Sequence, residues 1–253
     1  MEVMEKRRND IVRFVNEQGS VTFAQIKERF PSVSDMTLRT DLKVLDADQR
    51  LVRIHGGAKS LETVTGNDDL LKRRYIQNTD EKMSIAKKAI ALAEPNKTIF
   101  IDSGSTTTML SNILPDQPGT FFTSSLSCAI EIARLKQAHC VLCGGSINRN
   151  SLSVTGAEAL ELLRNVNFDI AFMGVTRYSK HTGFTCESYA DAQLKRLVIR
   201  KARKLIILMD SSKLDKEGTY HICDLKDADI VVSDSHLPED FIQECEDQGV
   251  IIQ

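Results

Sequence analysis

The sequence lacks several features that would point to other classes of protein. It has no tryptophan and only five prolines, and its six cysteines are scattered over the second half of the chain. This spacing argues against a disulfide framework in a chain of 253 residues. The opening segment MEVMEKRRNDIVRF is charged and has no apolar core of a signal peptide. No apolar run approaches the ~18 residues that span a bilayer. We therefore predict a cytoplasmic globular protein of one or two domains, without membrane contact, metal or cofactor.

Residues 1–60 have the pattern of a winged helix-turn-helix domain. Apolar residues at helical spacing between Ile11 and Val15 stop at Gly19, a residue type that often ends helices. Thr22 with Gln25 predicts a capped second helix, and Ser34 predicts the cap of a third. Two short helices joined by a short turn, with a hairpin predicted at residues 51–60, are typical of this DNA-binding fold.

The outward side chains of the third helix and the hairpin suit double-stranded DNA. Arg39 suits guanine edges or phosphate, and Thr37 and Thr40 suit phosphate or a thymine methyl group. An ordinary solvated helix face is the alternative. We favour DNA because a helix pair precedes this helix and residues 1–60 have a slight basic excess. The hairpin at residues 51–60, the wing of this fold, is also basic, with Arg53, His55 and Lys59. The predicted DNA-binding residues are Ser34, Thr37, Arg39, Thr40, Lys43, Arg53 and His55.

Residues 61–69 are polar and predict a linker, and residues 70–253 predict an α/β domain. A long helical pattern runs from residue 70 to residue 93 and ends before Pro95. Beyond it, short apolar runs alternate with helical segments, which predicts a mainly parallel sheet covered by helices on both faces. The predicted strands are 98–101, 120–123, 139–143, 168–173, 204–209, 229–232 and 250–252.

Small polar residues follow four of these predicted strands and indicate a ligand site. In an open parallel sheet the ligand crevice lies at the carboxyl ends of the strands. A strand, a turn with Gly104 and a helix start would aim backbone N–H groups at a phosphate, although an ordinary capped helix would look similar. The predicted effector-binding residues are Asp102, Ser103, Gly104, Ser105, Thr106, Thr107, Ser124, Ser125, Gly144, Gly145, Lys195 and Lys213.

Cys140 and Cys143 form a C-x-x-C pattern that could suggest metal or redox chemistry. They lie in a predicted strand, where residues three apart face opposite sides of the sheet, and no second pair follows at zinc spacing. We interpret both as buried core thiols.

Two segments of the first sixty residues resemble the DeoR family of bacterial repressors of sugar metabolism. The run from Ser34 to Leu42 is similar to the family's T-I-R-R-D-L core, and Leu51 to Ala58 is similar to its R-x-H-G-G-A wing. Thr40 departs from the pattern, because it stands where the family has a second arginine.

The second half of the chain resembles the sensor domain of the same family. The motifs that carry this resemblance are Glu81-Lys82, Ile101 to Thr107, Gly144-Gly145, Gly156, Phe172 to Gly174, Lys195 and Asp210 to Lys213. The resemblance implies a fold similar to ribose-5-phosphate isomerase and coenzyme A transferases. It also implies that the domain binds a sugar phosphate or a related metabolite.

The leading hypothesis is a transcriptional regulator, a repressor of a carbohydrate-metabolism operon that responds to a phosphorylated sugar effector. One winged helix offers few base contacts, so we expect a homo-oligomer, a dimer or a tetramer, on operator DNA. The alternative is a sugar-phosphate isomerase or transferase with a DNA-binding domain, in which Asp102, Asp169, Asp210 and Lys195 form an acid–base set. Turnover assays on pentose and hexose phosphates distinguish the two. An architectural DNA-binding protein without a ligand would not explain the four polar strand ends.

Overall fold

The structure, a computed structural model, describes residues 2–48, 50–54, 56–60 and 74–253. The chain divides into two compact units, residues 1–70 and residues 71–253. The linker predicted at residues 61–69 and the predicted DNA contact His55 lie outside the described residues.

The described residues of the first unit form three helices and a small antiparallel sheet with strand order β1-β3-β2. Thr22 caps the second helix through the predicted capping box, and Ser34 caps the third. Its elements are α1 (Glu2–Gln18), β1 (Ser20–Thr22), α2 (Phe23–Arg29), α3 (Asp35–Ala47), β2 (Val52–Ile54) and β3 (Gly57–Lys59). The predicted winged helix-turn-helix fold is confirmed.

One apolar cluster holds the first unit together. Its fully buried members include Ile11 from α1, Ile26 from α2, and Leu38 and Leu45 from α3. Because the apolar residues of each helix recur at helical spacing, the three helices turn one face inward. The opposite face of α3 is left to solvent.

The second unit is an α/β domain whose helices and strands alternate along the chain. Its elements are α4 (Thr79–Ala89), β4 (Thr98–Ile101), α5 (Ser105–Asn112), β5 (Gly119–Thr123), α6 (Leu126–Ile132), β6 (Ala138–Leu142), β7 (Ser146–Asn148), β8 (Ser153–Thr155), α7 (Ala157–Arg164), β9 (Phe168–Gly174), β10 (Arg177–Ser179), β11 (Gly183–Cys186), α8 (Tyr189–Lys201), β12 (Ala202–Leu208), β13 (Tyr220–Cys223), β14 (Ile230–Val232), α9 (Glu239–Asp247) and β15 (Ile251–Ile252). Among its described residues, short 3-10 turns occupy Ile90–Leu92, Ser211–Lys213 and Leu225–Asp227.

The main sheet has seven strands in the order β15-β14-β12-β9-β4-β5-β6, all parallel. Large apolar clusters cover both of its faces, so the predicted fold is confirmed. The sequence did not predict the antiparallel sheet β10-β11-β13 or the hairpin β7–β8. Among the residues that the structure describes, none of the helices combines the length and apolar character needed to cross a bilayer.

The strand order identifies where the chain changes direction in the sheet. From β4 the chain proceeds outward through β5 to β6, and it then returns to β9 on the other side of β4. Ligand crevices of open parallel sheets lie at such a switch point, outside the carboxyl ends of the strands. In this protein the switch point lies between the ends of β4 and β9.

Candidate functional site

The first turn of α3 uses two predicted DNA-binding residues to build its own cap. The Ser34 hydroxyl accepts from the Thr37 backbone N–H at 3.2 Å, and the two hydroxyls lie 2.8 Å apart. Lys27 lies 3.4 Å from Asp35, the first residue of the helix. The cap fixes where the exposed face of α3 begins.

Arg39 is exposed but restrained by an aromatic ring. Its guanidinium carbon lies 4.3 Å from the centroid of the Phe23 ring, a cation–π contact between α3 and the first residue of α2. Phe23 packs in turn against the apolar core of the unit. Arg39 was predicted from the sequence and Phe23 was not, although an aromatic residue directly after the Thr22 cap is visible there.

The remaining described DNA-binding candidates are Thr40 and Lys43 on α3 and Arg53 on the wing, and all three side chains are exposed. Lys43 is exposed on the outer face of α3. The Thr40 hydroxyl donates to the Met36 carbonyl at 2.9 Å. The side chain of Arg53 is exposed, whereas its backbone N–H donates to the Asp46 carboxylate at 2.9 Å and ties β2 to α3. The wing is therefore anchored to the helix that carries the other candidates.

Two arginines of α1 are engaged inside the unit. The buried Asp41 carboxylate accepts from Arg7 Nε at 2.7 Å and from Arg8 Nε at 2.9 Å. Arg50 likewise donates to Glu5 at 2.9 Å. These three arginines are therefore held by carboxylates of their own unit.

Asp102 and Lys195 meet at the switch point of the second unit. Lys195 Nζ donates to Asp102 Oδ2 and, at 2.9 Å, to the Gly174 carbonyl, while the Gly174 N–H donates to Asp102 Oδ2 at 3.0 Å. The two side chains are only 7% and 1% exposed. Burial raises the pKa of Asp102 above its ordinary value, and the Lys195 ammonium partly offsets this rise. One ion pair thus joins β4, β9 and α8.

The loop between β4 and α5 holds the predicted phosphate-binding residues. Gly104 precedes the helix with φ +154°, and the Thr107 and Thr108 hydroxyls donate to its carbonyl at 2.9 and 2.8 Å. Thr107 and Ser105 are buried, so their side chains stabilise the loop from inside. The predicted residues that remain partly exposed in this loop are Ser103, Gly104 and Thr106.

Ser125 and Gly145, two of the candidates that follow β5 and β6, each make a contact that stabilises the local fold. Ser124 and Ser125 are buried, and the Ser125 hydroxyl caps α6 by accepting from the Cys128 N–H at 3.2 Å. Gly144 and Gly145 are exposed. A Cβ on Gly145 would lie 2.4 Å from the Thr155 carbonyl oxygen, so close packing of the hairpin requires glycine there.

Lys213, the predicted effector-binding residue that follows β12, lies near the buried carboxylate of Asp210. Asp210 accepts from Asn78 Nδ2 at 2.9 Å and from the Ser212 hydroxyl, both at Oδ1. Lys213 Nζ lies 3.8 Å from Oδ2, which has no hydrogen-bond donor among the described residues. Burial and the nearby Lys213 lower the pKa of Lys82 to about 8. Two lysines, Lys82 and Lys213, therefore lie beside the switch point. Asp210 Oδ2, a carboxylate oxygen with no donor among the described residues, lies with them.

The sheet order spreads these candidates over a wide edge. Four strand intervals separate β12, which precedes Lys213, from β6, which precedes Gly144-Gly145. At about 4.8 Å per interval, the two strand ends lie about 19 Å apart. A single sugar phosphate is too small to contact both. All four clusters were predicted to converge, and the sheet order instead separates them along this edge.

Residues just before α4 also contact the segments that follow β4 and β12, a feature that was not predicted from the sequence. The Tyr75 hydroxyl lies 3.2 Å from Thr108 Oγ1, and Asn78 Nδ2 donates to Ser212 Oγ at 3.0 Å. Asn78 has φ +50°, which interrupts the long helical pattern, so α4 begins only at Thr79. The buried Lys82 ammonium donates to the carbonyls of Arg74 and Gln77. The expectation of one helical pattern from residue 70 is thus corrected at Asn78.

The C-x-x-C pair behaves as core thiols. Cys140 belongs to the apolar cluster on one face of the main sheet and Cys143 to the cluster on the other face, as predicted. Burial raises the pKa of Cys143 to about 12, so its thiol stays protonated. In the part of the chain that the structure describes, no group of three His, Cys, Asp or Glu side chains is placed to hold a metal ion.

Comparison with known proteins covers both units. Residues 7–64 match the model of the DeoR-like helix-turn-helix domain, and residues 77–235 match that of the DeoR C terminal sensor domain. The HTH-type transcriptional regulator GolR of Listeria innocua is 29% identical, covering 98% of this chain and 97% of the relative. The putative aga operon transcriptional repressor of Escherichia coli O157:H7 is 28% identical (97% and 91%), and the glycerol-3-phosphate regulon repressor of Escherichia coli K12 is 25% identical (98% and 98%).

Among solved structures, ribose 5-phosphate isomerase A of Methanocaldococcus jannaschii aligns with a TM-score of 0.42 at 20% sequence identity. The alignment covers 56% of each chain.

Proposed function

Since the chain belongs to the DeoR family of transcriptional regulators, we propose that it represses a carbohydrate-metabolism operon and responds to a phosphorylated sugar. The observation that carries the proposal is the outer face of α3, where Arg39 and Lys43 stay exposed while the inner face is fully packed. A cytoplasmic location is part of the proposal, since a repressor must reach chromosomal DNA.

In this proposal α3 enters the major groove and the wing contacts the backbone. Phe23 holds Arg39 near one orientation, which reduces the conformational entropy that Arg39 loses when it binds a guanine edge. Lys43 and Arg53 are exposed point charges for phosphate. One unit presents few such contacts, so two copies on a repeated or palindromic site, with half-sites about 10 bp or a multiple apart, supply the affinity. The homo-oligomer is then a dimer or a tetramer.

An Arg39→Ala variant tests the assignment of α3. We expect a loss of about 1–3 kcal/mol in operator binding together with relaxed base preference, because a bidentate contact to guanine is removed. The measurement is a binding titration on duplexes that carry each base at the contacted position. Lys43→Ala serves as the comparison, since losing a phosphate contact should weaken all sequences alike. Unchanged affinity and preference in Arg39→Ala would remove α3 from the interface.

The effector site that we propose comprises the β4–α5 loop and the flank that follows β12. Helix N–H groups at Gly104 and Ser105 would bind the phosphate, and Lys213 would add a positive charge. Asp210 Oδ2, which has no hydrogen-bond donor among the described residues, would accept from a sugar hydroxyl. The pair Asp102–Lys195 supports the loop from behind.

The same site provides a route to the DNA-binding unit. The segment from residue 74 to residue 78 follows the linker region and is bound to both parts of the site, through Tyr75 to Thr108 and through Asn78 to Asp210 and Ser212. A ligand that rearranges the β4–α5 loop or the segment after β12 would therefore change the hydrogen bonds that hold Tyr75 and Asn78. These two residues lie just after residues 61–73, which lead to the DNA-binding unit. Such a ligand alters operator affinity only if it binds the two arrangements unequally.

Gly104→Val and Lys213→Ala are expected to give a folded protein that binds operator but no longer responds to the sugar phosphate. Gly104 has φ +154°, where a side chain is strained, and a β-branched residue would block close approach of a phosphate. Removing the Lys213 charge should weaken ligand binding by about 10- to 100-fold, the value of a charged hydrogen bond. A thermal-shift panel of pentose and hexose phosphates finds the ligand, and calorimetry measures its affinity. Wild-type ligand affinity in both variants would exclude this site.

Asn78→Ala is the matched control for this experiment. It removes the anchor between the linker end and Asp210 without touching the β4–α5 loop. We expect it to keep most of its ligand affinity while operator release by the ligand is reduced. If binding and release fell in proportion, Asn78 would belong to the binding site and not to the route between the units.

We propose that the second unit is a sensor and not an isomerase. An isomerase needs a base that reaches the substrate carbon and exchanges its proton there. Asp102 is buried, and its Oδ2 already accepts from Lys195 and from the Gly174 N–H. These contacts favour a supporting role for the pair.

A further inference from the structure

Two outward positions of α3 form an apolar patch beside its basic residues. Met36 is 81% exposed, an unusual state for a large apolar side chain, and it lies one helical turn before Thr40 on the same face. Because the Thr40 hydroxyl donates to the Met36 carbonyl at 2.9 Å, that hydroxyl points back at the helix. The Thr40 methyl group is then the part of this side chain that is left to contact a partner.

The patch matches one chemical group of DNA. In a helix-turn-helix protein the N-terminal residues of the second helix contact base edges in the major groove, and Met36 and Thr40 lie in the first two turns of α3. The apolar group that a base presents in this groove is the thymine C5-methyl. Met36 offers no hydrogen-bond donor, and the Thr40 donor is already engaged.

We propose that Met36 and the Thr40 methyl group determine operator specificity by contacting thymine C5-methyl groups. This inference rests on the proposed function. Arg39 contacts a different base in this proposal, since its guanidinium is held over the Phe23 ring. The inference also gives a role to Thr40 at the position where the family pattern has arginine. This chain replaces a charged contact with an apolar one.

The experiment measures protein and DNA changes together. Duplexes are first selected from a random-sequence pool with the full-length wild-type protein, and each thymine is then replaced singly by uracil, which deletes only the methyl group. At one or two thymines per half-site we expect wild-type affinity to fall about fourfold, the effect of one buried methyl group. Met36→Ala should bind the thymine duplex about fourfold more weakly than wild type and lose the preference for thymine over uracil at its contact.

Three further variants make the result specific. Thr40→Ser keeps the hydroxyl bond and deletes only the methyl group, so it should abolish one thymine preference. Met36→Leu keeps an apolar side chain and should retain the preference. Lys43→Ala should weaken thymine and uracil duplexes equally. Since Met36 and Thr40 are exposed, these changes leave the core of the unit intact.

The results distinguish failure of the thymine contact from failure of operator binding itself. A selected site without thymine, a wild-type protein indifferent to every uracil, or an unchanged preference in both Met36→Ala and Thr40→Ser would overturn the inference while leaving operator binding in place. If the pool yields no enriched duplex, the proposed function falls, and the inference falls with it.

Discussion

A Lys195→Met variant is expected to lose about 3–5 kcal/mol of unfolding free energy, because it leaves the buried Asp102 carboxylate without its counter-charge. The loss should depend on pH. Burial raises the pKa of Asp102 above its ordinary value of 3.8, and removing the ammonium takes away the interaction that opposes this rise. The folded variant therefore holds a proton that the unfolded chain releases, and its stability falls as the pH rises above about 4 through the folded pKa.

Urea unfolding followed by far-UV circular dichroism at about pH 5 and about pH 8 measures this effect. The deficit of Lys195→Met relative to wild type should be larger at the higher pH. Lys180→Met, which changes an exposed lysine of the same unit, should match wild type at both values. Equal stability of Lys195→Met and wild type near pH 8 would show that the ion pair does not hold β4, β9 and α8 together.

Gly57→Ala is expected to disrupt the wing and abolish operator binding. A Cβ at this position would lie 2.1 Å from the Val21 carbonyl oxygen, which is backbone and cannot rotate away. Strand β3 would have to separate from β1, with loss of the buried Ala58 contacts and a cost of about 3 kcal/mol or more. Thermal unfolding and an operator titration of the same preparation measure the two effects.

The adjacent glycine supplies the comparison. Gly56 has φ +83° but no atom within 4 Å of an added Cβ, so Gly56→Ala costs only the strain of a left-handed alanine, about 1–2 kcal/mol. A loss in Gly57→Ala no larger than the loss in Gly56→Ala would show that the contact with the Val21 carbonyl does not make glycine necessary at position 57.

The sequence predicted those parts of the fold that depend on local periodicity. Helices α1 to α3 follow from apolar spacing and from the caps Thr22 and Ser34, and the parallel sheet follows from the alternation of strands and helices. The hairpin β7–β8 was missed because its strands are three residues long, which is too short for a period of two to register.

The candidate site depends on strand order, which no local pattern records. Asp102 and Lys195 are 93 residues apart, and only the return of the chain from β6 to β9 brings their strands and helix together. The same order separates Gly144-Gly145 from Lys213, although both follow strand ends in the sequence. Asn78 was missed for another reason, since a left-handed residue inside a helical pattern gives no apolar signal.

The packing of α3 bears on how such a regulator can evolve. Leu38, Leu42 and the buried Asp41 fasten the inner side of the helix, with Arg7 and Arg8 holding the carboxylate from α1. Positions 36, 40 and 43 take no part in that packing. Under the proposed contacts with operator DNA, mutations at these positions would alter which promoter is recognised while the fold keeps its stability. After gene duplication, a copy would then acquire new target genes through a few surface mutations, without passing through an unfolded ancestor.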